Sequence, residues 1–138
     1  MNEERQEQCE ELKTLDTSRA FLILIIVSVI LSYIALSRQR EALCLAMHGQ
    51  KACAQQVGEV YPIRLGASAL IVGALGYFFA LSLENCRSAD PCDSMAVHST
   101  NLNALAGFLV LLAALIRLFD LNMTQRAQSA LTGELLPD

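Results

Sequence analysis

Apolar residues fall in three long blocks, and the polar residues are gathered between them rather than interleaved at a helical period. Residues 20–37, AFLILIIVSVILSYIALS, form 18 consecutive uncharged positions, apolar on every face of a helix. At 1.5 Å per residue that run reaches roughly 27 Å, close to the hydrocarbon thickness of a bilayer. Residues 65–83, LGASALIVGALGYFFALSL, supply 19 more. Pro62 marks the start of this second helix, since proline is tolerated in a first turn. The third block, LNALAGFLVLLAALI at 102–116, stops at Arg117, but Leu118, Phe119 and Leu121 carry the apolar face onward. An arginine at the end of such a run can reach the headgroups along its own stem, so a span is still predicted. The expected spans are 20–37, 62–83 and 102–121.

A soluble bundle would need polar stripes to meet water, and the first block offers only Ser28, Ser32 and Tyr33. A cleaved signal peptide fits poorly, because the preceding segment is acidic and the apolar run is long. Composition agrees, with 54% hydrophobic and 17% charged residues lying outside the soluble balance. The pattern predicts an all-α fold: one integral membrane bundle of three transmembrane helices.

Residues 1–19 are an acidic tail rich in helix formers, expected as a short solvated helix, with Asp16, Thr17 or Ser18 as N-cap of the first span. Residues 38–61 are too polar to span. Leu43 and Met47 give them one modestly apolar side, and Gly49 suits a helix end. A short amphipathic helix or helical hairpin ending at Gly58 is expected there, lying on the membrane surface. Residues 84–101, ENCRSADPCDSMAVHSTN, read as a loop closed by Ser99, Thr100 and Asn101 as caps of the third span. In the tail 122–138 the third helix is expected to extend to about Thr132, with Gly133 ending it and Pro137 beyond.

Arg38, Arg40, Arg64 and Arg117 stand at span ends and read as interfacial anchors, Arg117 being placed to pair with Asp120 at i+3. Arg38 and Arg40 also suit anionic lipid headgroups. Arg and Lys set the orientation. The amino-terminal tail and second loop hold four (Arg5, Lys13, Arg19, Arg87), whereas the first loop and carboxy-terminal part hold six (Arg38, Arg40, Lys51, Arg64, Arg117, Arg126). The positive-inside rule then favours a multi-pass cell-membrane protein with its N-terminus out and C-terminus in.

That orientation bears on the cysteines. Cys86 and Cys92 close the stretch CRSADPC, where a disulfide would stabilise by roughly 2 kcal/mol and would face the oxidising side. The alternative staple, under inverted topology, is Cys44 with Cys53. In one straight helix these two would stand about 13.5 Å apart, so they can meet only if the chain reverses near Gly49. Cys44, His48 and Cys53 supply at most three metal ligands without a CxxC, so no metal site is expected. Acidic Glu84, Asp90 and Asp93 surround CRSADPC, and Cys9 lies on an acidic stretch; neither setting is the electropositive one that a reactive thiol needs.

In the second span Ala69, Gly73, Gly76 and Ala80 recur at spacings of four, three and four, on one helix face. Small residues allow close backbone approach between helices in lipid. The partner is either the third span, through Ala106, Gly107, Ala113 or Ala114, or a second copy. No catalytic constellation and no cofactor-binding motif stand out, and the net charge of -4 argues against nucleic acid. The expected function is that of a small non-enzymatic membrane protein, a scaffold or accessory subunit of a membrane assembly or a homo-oligomer. Its expected partners are membrane lipids and other membrane subunits. One alternative is a pore-forming or membrane-permeabilising effector, which would need a polar stripe these spans lack. The other is a membrane thiol-disulfide oxidoreductase, whose cysteine pairs would have to meet on one side.

Overall fold

No glycine or proline occurs before Gly49, and the first helix runs without a break through both the polar tail and the first apolar block. The structure, a computed structural model, describes residues 1–134 and contains four helices among them. They are α1 (Asn2–Met47), α2 (Lys51–Val57), α3 (Tyr61–Ser88) and α4 (Ser94–Glu134). No strand is present among the described residues, and three helices are long and apolar enough to cross a membrane.

The separate amino-terminal helix expected over 1–19 is not seen, nor is a cap at 16–18. The Thr14 and Thr17 hydroxyls donate back to the Glu10 and Lys13 carbonyls, at 3.0 and 2.8 Å, and Ser18 meets Tyr77. A hydroxyl that bonds its own helix four residues back does not compete for a cap. Glu, Gln, Lys and Leu then carry the helix through. With 46 residues, α1 is about 69 Å long.

Its end is the reversal expected at Gly49. Gly49 has φ +82°, and its N–H donates to the Ala46 carbonyl while that of Gln50 donates to the Leu45 carbonyl. These two bonds are a Schellman closure, which needs the left-handed conformation glycine adopts freely. The short α2 then folds back along α1. Gly58, its C-cap, lies so close that a Cβ there would stand 3.4 Å from the Ala42 Cβ. The hairpin expected over 38–61 is present in part. A turn at Gly49 and a short helix ending at Gly58 are there, but residues 38–47, with Leu43 and Met47, continue α1 instead of forming a separate element.

Pro62 occupies the first turn of α3, as expected. The loop expected over 84–101 is much shorter, since α3 persists to Ser88 and α4 begins at Ser94. Asp93, rather than Ser99, Thr100 or Asn101, is the cap: its Oδ1 accepts from the N–H groups of Met95 and Ala96. Asp90 turns the chain by accepting from the Cys92 N–H. At the far end α4 continues through Gly133 to Glu134. Pro137 lies outside the described residues.

The three long helices form a flat layer rather than a three-cornered bundle. α3 lies in the middle and packs on α1 at one side and α4 at the other, while α1 and α4 do not approach each other among the described residues. Neighbours run antiparallel. Phe21 of α1 stacks on Tyr77 of α3, with centroids 4.1 Å apart, and Cys86 meets Thr100 across α3 and α4 at the same end. At the opposite end Ala42 meets Gly58, and Tyr61 donates to the Asn122 Oδ1 at 2.8 Å.

Small residues make the seams. The buried set among the described residues is Ser28, Ala35, Val60, Ala67 and Ala74. Phe21, Ser28, Ala35 and Ala42 repeat every seven residues along α1, the spacing that keeps one seam facing a neighbouring helix. At its centre the Ser28 hydroxyl donates to the Ala67 carbonyl at 2.9 Å. Large side chains that a water-soluble bundle would bury point outward instead, including Leu22, Ile26 and Ile30 on α1 and Leu105, Leu109 and Ile116 on α4.

Candidate functional site: an open groove along one face of the layer

Because α1 and α4 stand apart on either side of α3, one face of the layer is a trough whose floor is α3. Its volume is about 840 Å³, within the range of ligand sites. Ser32, Ala35, Leu36 and Gln39 form one wall, and Val110, Ala113, Ala114 and Arg117 form part of the other. Arg64, Ser68, Ile71 and Leu75 line the floor, a four-three-four spacing that puts them on one helix face. The trough is graded along its length. One end is apolar, with Ile71, Leu75 and Val110, and the other gathers Gln39, Arg64, Arg117, Asp120 and Thr124.

Of the interfacial anchors, Arg64 and Arg117 therefore line the same end of the trough, whereas Arg38 and Arg40 are exposed on α1 and do not line it. The expected Arg117–Asp120 ion pair is not formed, and among the described residues neither Arg64 nor Arg117 has a carboxylate partner within 4.0 Å. Three and four residues apart on a helix are neighbours, but both side chains are exposed here. Exposed pairs of this kind hold little free energy.

The small-residue set divides in an unexpected way. On α4 Gly107, one of the small residues expected there, does meet α3, but against Phe79 rather than any of the four: a Cβ on Gly107 would lie 3.5 Å from Phe79 Cδ2. The seam toward α1 is made instead by buried Ala67, whose carbonyl accepts from Ser28, and by buried Ala74 seven residues on. Ala69, Gly73 and Ala80 are exposed on the face of α3 opposite the trough, and Gly76 is half-buried beside them. Nothing lies within 4 Å of a Cβ built on Gly66, Gly73 or Gly76.

Neither cysteine staple is present. Cys86 and Cys92 are both free, as are Cys44, Cys53 and Cys9, and the cysteines are not at disulfide distance. Cys86 sits within α3, its thiol donating to the Thr100 carbonyl at 3.1 Å, while exposed Cys92 lies in the Asp90 turn. The reversal at Gly49 also leaves Cys44 and Cys53 exposed and unpaired. His48 is occupied locally, its Nδ1 being 2.7 Å from the Cys44 carbonyl at the end of α1. Thiol titration of the denatured, unreduced protein is expected to count five free cysteines per chain. A count of three would restore one staple.

Sequence reasoning missed Ser28, the one buried polar side chain among the described residues, and the Tyr61–Asn122 and Ser18–Tyr77 contacts. The seven-residue repeat through Phe21, Ser28, Ala35 and Ala42 was the available signal for the first. Nothing local marks the other two. No protein-family model, no curated protein and no solved structure matches this chain.

Proposed function

We propose that this chain is a non-enzymatic integral membrane protein that serves as a subunit or scaffold, associating with other membrane helices through the open face of α3. The observation that carries this is the unfilled strip of Ala69, Gly73 and Ala80, with half-buried Gly76 beside it. On its two occupied sides α3 already packs by the same means, with Ala67 and Ala74 toward α1 and Phe79 against Gly107 of α4. Lipid tails compete poorly for a surface on which a helix backbone can approach closely. Insertion itself is supported by the outward-pointing Leu, Ile and Val side chains, a belt too extensive for a monomer in water.

The sorting of charge supports an orientation with the N-terminus outside. The antiparallel layer collects Arg38, Arg40, Lys51, Arg64 and Arg117 at one end. Most of the acidic residues, from Glu3 to Asp16 and at Glu84, Asp90 and Asp93, lie at the other. The positive-inside rule, which counts Arg and Lys rather than acids, then favours the end with six of them, Arg126 included, for the cytoplasm over the end that holds Arg5, Lys13, Arg19 and Arg87.

Gly73→Leu with Gly76→Leu tests the association. Both positions have open space around a Cβ, so the chain itself is expected to keep its helicity and its thermal midpoint in detergent. Migration in a native gel is expected to shift to the monomer position. Unchanged migration would count against α3 as the association face.

A further inference from the structure

We propose that the trough between α1 and α4 binds one anionic phospholipid, its headgroup held by Arg64 and Arg117 and its acyl chains lying along the apolar floor. This rests on the membrane orientation proposed above. Three observations on the trough converge. First, Arg64 and Arg117 come from different helices to the same end and have no carboxylate partner within 4.0 Å among the described residues. An anion entering between them meets two guanidinium groups without first displacing an internal ion pair, and guanidinium suits phosphate oxygens.

Second, the trough has the grading of a lipid. Gln39 and Thr124 offer neutral hydrogen-bonding groups beside the arginines, while Ile71, Leu75 and Val110 make the other end apolar. From Val110 to Thr124 the α4 wall rises through fourteen residue steps, which is about 21 Å. One bilayer leaflet contributes about 15 Å of hydrocarbon and about 6 Å of headgroup region. The trough therefore spans one leaflet and its headgroups. Third, its rim is exposed at both ends, at Leu36 beside the arginines and at Val110 beside Leu75, so in a membrane the trough faces lipid and a lipid can enter without passing through water. In the proposed orientation the arginine end faces the cytoplasmic leaflet, where anionic lipids concentrate and basic pockets between helices take their headgroups. Asp120 is the one acid lining this end; it disfavours a second anionic group and fits a single phosphate.

The test uses full-length protein purified in mild detergent, delipidated, and titrated with phosphatidylglycerol or phosphatidylcholine of identical chains, with adducts counted by native mass spectrometry. One phosphatidylglycerol is expected to bind about thirtyfold tighter than phosphatidylcholine, the factor expected from two juxtamembrane arginines. Arg64→Gln with Arg117→Gln is expected to bring it down to the phosphatidylcholine level. Arg5→Gln with Arg19→Gln, at the opposite end, is expected to leave the preference intact. Equal affinity for the two lipids, a preference that survives the Arg64/Arg117 change, or a dimer that excludes lipid would each overturn the proposal. Carbonate extraction of expressing cells separates this from the underlying membrane reading. Protein retained in the membrane but without lipid preference sinks only the lipid site, whereas protein released by carbonate sinks both.

Discussion

The Ser28→Leu substitution is expected to destabilise the layer by about 1–3 kcal/mol, the range for adding bulk to a packed seam. Ser28 is fully buried, and its hydroxyl reaches the Ala67 carbonyl at 2.9 Å. That distance means the α1 and α3 backbones are close enough that a leucine side chain can fit only if the helices move apart. Phe21 against Tyr77 and Ala42 against Gly58 sit on the same seam, to either side, so separation at the centre loosens both. Ser28→Ala isolates the hydrogen bond from the space. The Ala67 carbonyl keeps its helical donor, and interhelical bonds of this type contribute only about 0.6 kcal/mol. Reversible unfolding in mixed micelles measures both variants. Equal losses for alanine and leucine would show that α1 and α3 are not in close approach at position 28.

A second large effect is expected at Gly107. A Cβ there would stand 3.5 Å from Phe79 Cδ2 and 3.7 Å from Phe79 Cα, which is ordinary contact. Gly107→Ala is therefore expected to be neutral, or to stabilise by up to about 1 kcal/mol through helix propensity. Gly107→Leu carries three further carbons into the Phe79 side chain and is expected to lift α4 from α3. The Phe79–Phe108 contact and the hydrogen bonds of Cys86 to Thr100 and Tyr61 to Asn122 belong to that same interface. Their joint loss makes the effect larger than the local clash. Limited proteolysis should then cleave the 89–93 turn faster in Gly107→Leu than in wild type or Gly107→Ala. Equal cleavage in all three would mean that Phe79 does not fill the space above Gly107.

These two changes contrast with Gly73→Leu, which adds the same side chain to a comparable apolar helix and is expected to leave the chain's own fold unchanged. Gly73 and Gly107 look alike in sequence. Each lies among Ala, Leu and Val, and each fits a small-residue pattern. The four-residue pattern Ala69, Gly73, Gly76 and Ala80 is real as a helical face, but it does not say which neighbour, if any, lies against it. α3 has two filled sides and two open ones, and the periodicity of one helix carries no information about where the others stand.

Local sequence determined the helices and their direct punctuation. Eighteen uncharged residues before Arg38 make a helix that is apolar all round, Gly49 supplies the positive φ that a Schellman closure needs, and Pro62 sits where its missing N–H is harmless. The same local information misplaced the polar ends. Ser, Thr and Asp favour caps, but Thr can also sit inside a helix by bonding back to its own backbone, as Thr17 and Thr100 do. The residue that bonds forward to free N–H groups is Asp93, expected within the loop rather than as a cap. Tertiary structure alone decided the rest. It set α3 between α1 and α4, and so brought Arg64 and Arg117, 53 positions apart, into one trough. It directed the Cys86 thiol to Thr100 rather than to Cys92, although the two cysteines are six positions apart. The physical reason is the same in both cases: a side chain's direction is fixed by helix phase, and what it meets is fixed by how separate helices pack, which no short stretch of chain encodes.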